Sequence, residues 1–302
     1  MSETRAGYAA IAGKPNAGKS TLLNALLKQK IAIATPKAQT TRKRILGILT
    51  EGDHQIIFLD TPGMIHPRYL LQERMMEYVS RSLHDADVIL LIVDASNQED
   101  VADAIDPNFL TKSKIPKSKP VFLILNKIDL VPQNVIEKYF LAAEASGLYK
   151  QIIPMSATMA INTQSVIDFV LEHMPVSPFY FPPDIVSDEQ ERFFVKEIIR
   201  EKIMTLYREE IPYSCEVAID EYTEREAKHF IRAIIYVEKE SQVSIIVGKK
   251  GELIKKVGQR ARYDIERFLD HEVYLELYVK VRDSWRRNEK YLREFGYDLQ
   301  ED

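Results

Sequence analysis

The sequence predicts an α/β fold in two parts: a domain on a doubly wound, mostly parallel sheet, then a smaller α+β domain. Three observations carry this. Apolar runs of strand length alternate with polar or amphipathic stretches from Tyr8 to about Met174. The string GKPNAGKS, residues 13–20, stands between one such run and a helical pattern. At Pro175 the texture changes, and helix and strand patterns then recur in a different order.

The elements of the first part follow in order. Residues 8–12 form a first strand, and residues 21–27 a helix with Leu22, Leu23, Leu26 and Leu27 at helical spacing. Residues 55–59, 88–93, 121–125 and 151–155 are nearly continuous apolar runs, as expected of strands covered on both faces. Residues 70–83 and 135–145 are the amphipathic stretches between them. Past the ends of such strands, open α/β sheets bind their ligands. Three short motifs lie there.

Prolines 175, 178, 182 and 183 crowd a span that neither a helix nor an inner strand tolerates, so a linker is expected at residues 175–184. Beyond it, residues 189–207 read as an amphipathic helix, 214–219 and 230–237 as strands, 252–269 as a basic helix, and 273–281 as a last strand. That strand alternates Val273, Leu275, Leu277, Val279 and Val281 with polar or amphipathic residues, so one face is expected to be exposed.

With 302 residues the chain is long enough for two cores. Hydrophobic residues at 45% and charged residues at 28% are ordinary for a soluble protein, and no apolar run approaches the roughly 18 residues of a spanning helix. The opening MSETRAGYAAIAG lacks the apolar core of a secretion signal, which makes the cytoplasm the expected compartment. Cys215, the single cysteine, falls in the expected strand 214–219, where a buried thiol needs no catalytic role. A net charge of −4 gives no argument for nucleic acid from the whole molecule. Locally, however, Lys249, Lys250, Lys255, Lys256, Arg260 and Arg262 face one acid, Glu252.

A triphosphate is densely anionic, and a ring of backbone N–H groups at a helix N-terminus holds it well. Gly13, Lys14, Pro15, Asn16, Ala17 and Gly18 would form that loop, the glycines allowing close approach. Lys19 would then reach the β and γ phosphates, the Ser20 hydroxyl would ligate Mg²⁺, and Thr21, at the start of the helix, would join the nucleotide contacts. A chance Gly-rich turn is the alternative. In DTPG, Asp60 ends an apolar run where it can hold the Mg²⁺ shell and Gly63 leaves an N–H for the γ phosphate, with Thr61, Pro62 and the following Met64 also expected against the nucleotide. A plain turn would also explain this string taken alone.

NKID, which comprises Asn126, Lys127, Ile128 and Asp129, selects the base. An ionised carboxylate only accepts hydrogen bonds, and guanine offers two adjacent donors where adenine has a bare lone pair. Asp129 should therefore favour guanine strongly. Ser156, Ala157 and Thr158 could complete the pocket with a backbone N–H to the guanine carbonyl, although a generic turn fits them equally well. Between the phosphate loop and Asp60, residues 37–44 (KAQTTRKR) read as a mobile polar loop. Thr40 or Thr41 could offer a hydroxyl to Mg²⁺ when the γ phosphate is present, with Thr41 preferred, and a plain solvated loop is the alternative. Lys19, Thr41 and Gly63 are the residues expected to act in catalysis, which would be mostly electrostatic.

These motifs, in this order, resemble the translation-factor-related small GTPases. With QTTR at residues 39–42 and IIVGKKGELIKKVGQRAR at residues 245–262, the chain resembles the Era family of ribosome-assembly GTPases over nearly its whole length. The resemblance implies a P-loop GTPase domain at 1–174, the Pro-rich linker at 175–184 and a KH domain of the second type at 185–302. It also implies GTP or GDP with Mg²⁺ as cofactors, and 16S ribosomal RNA near its 3′ end, within the small (30S) ribosomal subunit, as partner. Residues 241–247 would then be a short helix, although their composition alone suggests a strand.

Where Ras-like GTPases place a water-orienting glutamine, this chain has Met64, so slow intrinsic hydrolysis is expected. Another loop, K⁺ or the ribosomal partner would position the water. In GKKG, Gly248, Lys249, Lys250 and Gly251 would pack backbone amides against a nucleic-acid strand, with Lys255, Lys256 and Arg260 on phosphates. A solvated helix face is the plainer explanation of such a charge run. Lys280, Arg282, Arg286 and Arg287 around Trp285 form a second basic stretch open to RNA, to peripheral membrane contact at the inner face of the cell membrane, or to neither. A monomer is expected. Two rivals remain at this point: a structural RNA-binding assembly factor with nucleotide affinity and negligible turnover, and a metabolite phosphotransferase.

Overall fold

The computed structural model describes residues 3–297 and divides into two compact units, one reaching Asp188 and the other running from Glu189. Residues 67–74 group with the second. In the first unit the elements are β1 (Arg5–Ala12), α1 (Lys19–Leu27), β2 (Ile45–Glu51), β3 (His54–Asp60), α2 (Leu70–Asp85), β4 (Val88–Asp94), α3 (Gln98–Ala104) and α4 (Phe109–Lys112). They continue with β5 (Val121–Asn126), α5 (Gln133–Ser146), β6 (Gln151–Pro154) and α6 (Thr163–Glu172).

The sheet order is β2-β3-β1-β4-β5-β6, parallel throughout except that β2 runs antiparallel to β3. Each expected strand is present. β4 and β5 are buried along nearly their whole length, which is why they read as unbroken apolar runs. β2 was not expected. Its apolar run of Ile45, Leu46, Ile48 and Leu49 is interrupted by Gly47, where a Cβ would stand 2.6 Å from the Leu23 side chain of α1.

The Pro-rich segment expected as a linker, residues 175–184, stays bound to the first unit. The Ala6 N–H donates to Pro175 O at 3.2 Å, and the fully buried Gln55 side chain accepts from Tyr180 N and Phe181 N at 2.9 and 3.0 Å while donating to Phe181 O at 2.9 Å. The Ile48 N–H of the edge strand β2 donates to Val186 O at 2.8 Å. Proline forbids a helix here and permits extended chain, and the sheet supplies the donors and acceptors that chain needs.

The second unit contains α7 (Glu191–Leu206), α8 (Ile211–Ser214), β7 (Glu216–Thr223), β8 (His229–Val237), α9 (Glu240–Val247), α10 (Glu252–Leu269), β9 (Val273–Val281) and α11 (Glu289–Glu294). β8 is central, antiparallel to β7 and parallel to β9. Residues 241–247 are helical, as the family resemblance implied and their composition did not. Cys215 is buried but precedes the strand instead of lying within it, since a helical turn occupies Ile211–Ser214 and β7 starts at Glu216. In the basic stretch around Trp285 the indole is buried, whereas Lys280 and Arg287 are exposed. The Trp285 indole N–H donates to Ser214 O at 2.8 Å, Arg282 pairs with Glu294 at 2.6 Å, and Arg286 pairs with Glu238. Among the described residues no helix is long and apolar enough to cross a membrane.

Candidate nucleotide site and RNA-binding loop

β1 delivers the chain into the phosphate loop with Gly13 at φ 156° and Gly18 at φ 104°. A Cβ at Gly13 would meet Ile92 O at 2.3 Å, and one at Gly18 would meet the Asn126 amide at 2.2 Å, so only glycine fits either place. No side chain caps α1, whose first N–H groups face the loop. Lys19 is buried and donates to Lys14 O at 2.8 Å and Gly13 O at 3.2 Å. Burial lowers its pKa to about 8, with Asp60 acting in the opposite direction. An anion reaching this loop would take over the ammonium from the two carbonyls.

Ser20, Thr41 and Asp60 converge. Ser20 Oγ donates to Asp60 Oδ2 at 2.7 Å, Thr41 Oγ1 donates to the same oxygen at 3.3 Å, and the two hydroxyls lie 2.8 Å apart. Asp60 is fully buried and burial raises its pKa to about 6, opposed by Ser20, Lys19 and Thr41. Among the described residues its Oδ1 has no hydrogen-bond partner. Three hard oxygen donors with one orphaned carboxylate oxygen fit Mg²⁺ well. Thr40 is turned elsewhere, donating to Lys37 O at 2.7 Å and lying 2.7 Å from the Thr35 hydroxyl. Residues 37–44 form no helix or regular strand before Arg44, yet Thr40, Thr41 and Arg42 are buried, so a merely solvated loop does not describe them.

The DTPG turn abuts the phosphate loop. A Cβ on Gly63 would lie 2.8 Å from Pro15, and the Met64 N–H donates to Gly13 O at 3.0 Å. The Met64 side chain packs against the core of the first unit. The Thr61 hydroxyl donates to Ile11 O at 2.7 Å, which fixes the turn.

At the base end, Asn126 ties three motifs together: its amide donates to Ala17 O at 2.8 Å and accepts from Ala157 N at 3.0 Å. The Ser156 N–H is engaged by Ile161 O at 3.3 Å. Of the three residues Ser156, Ala157 and Thr158, Thr158 therefore has the N–H without a protein acceptor among the described residues. Lys127, at φ 66°, precedes the single 3₁₀ turn of Ile128, Asp129 and Leu130, in which Asp129 is exposed. Lys127 Nζ pairs with Asp94 Oδ2 at 2.5 Å. Burial pushes the Asp94 carboxyl up, but hydrogen bonds from Lys127 and Ser96 outweigh it and leave the pKa lowered. Sequence reasoning missed Asp94, although its place at the end of an apolar strand is the same signal that marked Asp60.

A cleft of about 560 Å³ runs over this surface, lined by Gly18, Lys19, Ser20, Thr41, Gly63, Asp94 and Lys127 among others. Asp129 and the 156–158 turn stand outside its lining.

In the second unit, α9 ends at Val247 and α10 begins at Glu252, so GKKG is the whole connection. Gly248 at φ 70° has Leu253 Cβ 2.9 Å from where a Cβ would stand, while Lys250 and Gly251 are left-handed at φ 52° and 79°. Lys249, Lys250, Lys255, Lys256 and Arg260 are exposed, and Val257, Ala261 and Ile265 form the buried stripe of α10. None of these five cations has an acidic partner among the described residues. Such a tight turn with free lysines can receive a nucleic-acid backbone.

Comparison with known proteins agrees with this geometry. A family model described as a 50S ribosome-binding GTPase matches residues 8–127, and a KH domain model matches residues 210–286. GTPase Era of Caldanaerobacter subterraneus is 42% identical over 98% of both chains, and a chloroplastic GTPase ERA1 of Zea mays is 44% identical over 97% of this chain and 70% of its own. A crystal structure of Era in complex with MgGDPNP and nucleotides 1506-1542 of 16S ribosomal RNA matches at 40% identity, with a TM-score of 0.91 over 98% of this chain and 100% of that one. With relatives this similar aligned from end to end, the chain belongs to the Era family of GTPases.

Proposed function

We propose that this chain is a GTP-hydrolysing switch that binds 16S ribosomal RNA near its 3′ end and acts in small-subunit assembly. The observation that carries the reading is the buried Ser20, Thr41 and Asp60 cluster at the mouth of the phosphate loop, with its orphaned Asp60 oxygen. It stands in a chain that also carries a KH-type GKKG turn.

Ser20, Thr41 and Asp60 would hold Mg²⁺, which supplies charge neutralisation for the β and γ phosphate oxygens when bound. Lys19 leaves Gly13 O and Lys14 O for the phosphates and stabilises charge developing on the transferred group. The Gly63 N–H meets the γ phosphate, and Thr41 makes the first switch responsive to it. Asp129 accepts from the guanine N1–H and amino group, and the Thr158 N–H donates to the guanine carbonyl. The lysines of GKKG, with Lys255, Lys256 and Arg260, contact RNA phosphates. A monomer in the cytoplasm is part of the same reading.

One observation favours the rival of a nucleotide-dependent RNA binder with negligible turnover: Met64 is packed inward and cannot orient water. Steady-state phosphate release with and without small ribosomal subunits separates the two. Stimulated GTP hydrolysis supports the switch, and release at background under both conditions refutes it.

A further inference from the structure

The side chain of Lys14, the second residue of the phosphate loop, has no role in the scheme above, yet its ammonium lies 2.8 Å from Asp100 and 2.6 Å from Asp103 of α3. The same residue's carbonyl accepts from Lys19 Nζ at 2.8 Å. One residue thus joins α3, through its side chain, to the phosphate lysine, through its backbone. α3 is a fixed anchor. The Asn97 side chain caps it by accepting from Glu99 N at 3.0 Å and Asp100 N at 3.4 Å, and the Ala95 N–H just before it donates to Asn126 O at 2.9 Å. The Asp100 carboxylate is only 14% exposed, so this is not a loose surface contact.

Charge alone does not explain the arrangement, because two carboxylates against one ammonium leave a net negative charge beside a site built for an anion. Position does explain it. We propose that Asp100 and Asp103 are positioning residues for the nucleotide site: through Lys14 they hold the phosphate loop against α3, with Lys19 set for the phosphates. The proposal rests on the GTPase reading, and it assigns α3 a part in nucleotide retention.

The test is the dissociation rate of a fluorescent GDP from the full chain with Mg²⁺, for wild type, Lys14→Met, Asp100→Asn/Asp103→Asn, and the triple variant. A tether and a simple field effect predict opposite signs for the acidic variant. Removing carboxylates near an anion would slow release, whereas losing the tether speeds it. We expect Lys14→Met and the double Asn variant each to release GDP about fivefold faster, the size expected of losing one half-buried ion pair. The triple variant should be no faster than either, and Lys14→Arg should restore most of the loss. Melting of the nucleotide-free protein should change little, which separates positioning from general stability. Slower or unchanged release in the double Asn variant, or additive effects in the triple, overturns the tether. Failure of wild type to bind GDP at all would instead refute the underlying function.

Discussion

Ser20 Oγ donates to one oxygen of Asp60 at 2.7 Å, while the other oxygen of that buried carboxylate has no partner. The arrangement stores an electrostatic penalty that a cation relieves. Because burial raises the Asp60 pKa from 3.8 to about 6, the folded protein keeps a proton that the unfolded chain loses over that interval. Stability of the nucleotide-free protein should therefore fall as pH rises from about 4 to about 6 and stay level with respect to this group above that. Asp60→Asn should remove the slope and stabilise the nucleotide-free protein at neutral pH by about 1–3 kcal/mol. It should also abolish the Mg²⁺ dependence of GTP affinity. Thermal melts across pH and nucleotide titrations with and without Mg²⁺ check both halves, and a nucleotide-free variant less stable than wild type contradicts the account.

Asp129 makes base choice a matter of hydrogen-bond direction. An amide in its place offers a donor where guanine also presents one, and it matches xanthine, whose ring carbonyl replaces the amino group. Asp129→Asn should weaken GTP by a factor on the order of a hundred or more and give xanthosine triphosphate the tighter binding. Competition of the two nucleotides against fluorescent GDP measures the switch. Equal retention of GTP would remove Asp129 from the base pocket.

The sheet was legible because its inner strands are buried on both faces and so carry almost no polar interruption, as in β4 and β5. β2 escaped because Gly47 splits its short apolar run into two pairs, and its outer edge is met by chain from beyond Pro175, the Ile48 N–H donating to Val186 O. The same long-range pairing hid the role of Gln55, whose partners Tyr180 and Phe181 lie over a hundred residues away, and of Asp94, which waits for Lys127 just past the end of β5. Glycine positions and the terminal residues of apolar strands announced themselves in sequence, since local backbone demands fix them. Side-chain partners from distant strands did not, because only the folded sheet brings them together.

Met64 fills the place where related enzymes use a water-orienting amide, yet its side chain lies against the core and only its N–H, on Gly13 O at 3.0 Å, faces the phosphate loop. Met64→Ala should lower stability by about 1–3 kcal/mol through lost packing. The intrinsic hydrolysis rate should stay within a few fold of wild type. Single-turnover phosphate release provides the measurement, and a loss of several hundred fold would show that the side chain takes part in the reaction.

The exposed cations after α9 should reveal themselves through salt. Lys249 and Lys250 sit in a turn whose left-handed Lys250 and Gly251, at φ 52° and 79°, bend the backbone outward without burying either lysine. Each phosphate neutralised on single-stranded nucleic acid releases counterions, so affinity falls with ionic strength in proportion to the number of contacts. Lys249→Ala/Lys250→Ala should weaken a single-stranded RNA matching the 3′ end of 16S rRNA and reduce the magnitude of the log–log salt slope by roughly 1.4. GTP affinity of the same variant, measured without RNA, should match wild type, since both lysines belong to the second unit and the phosphate loop to the first. An unchanged slope would mean that these lysines are solvated bystanders, and the RNA would have to be held by the face of α10 alone.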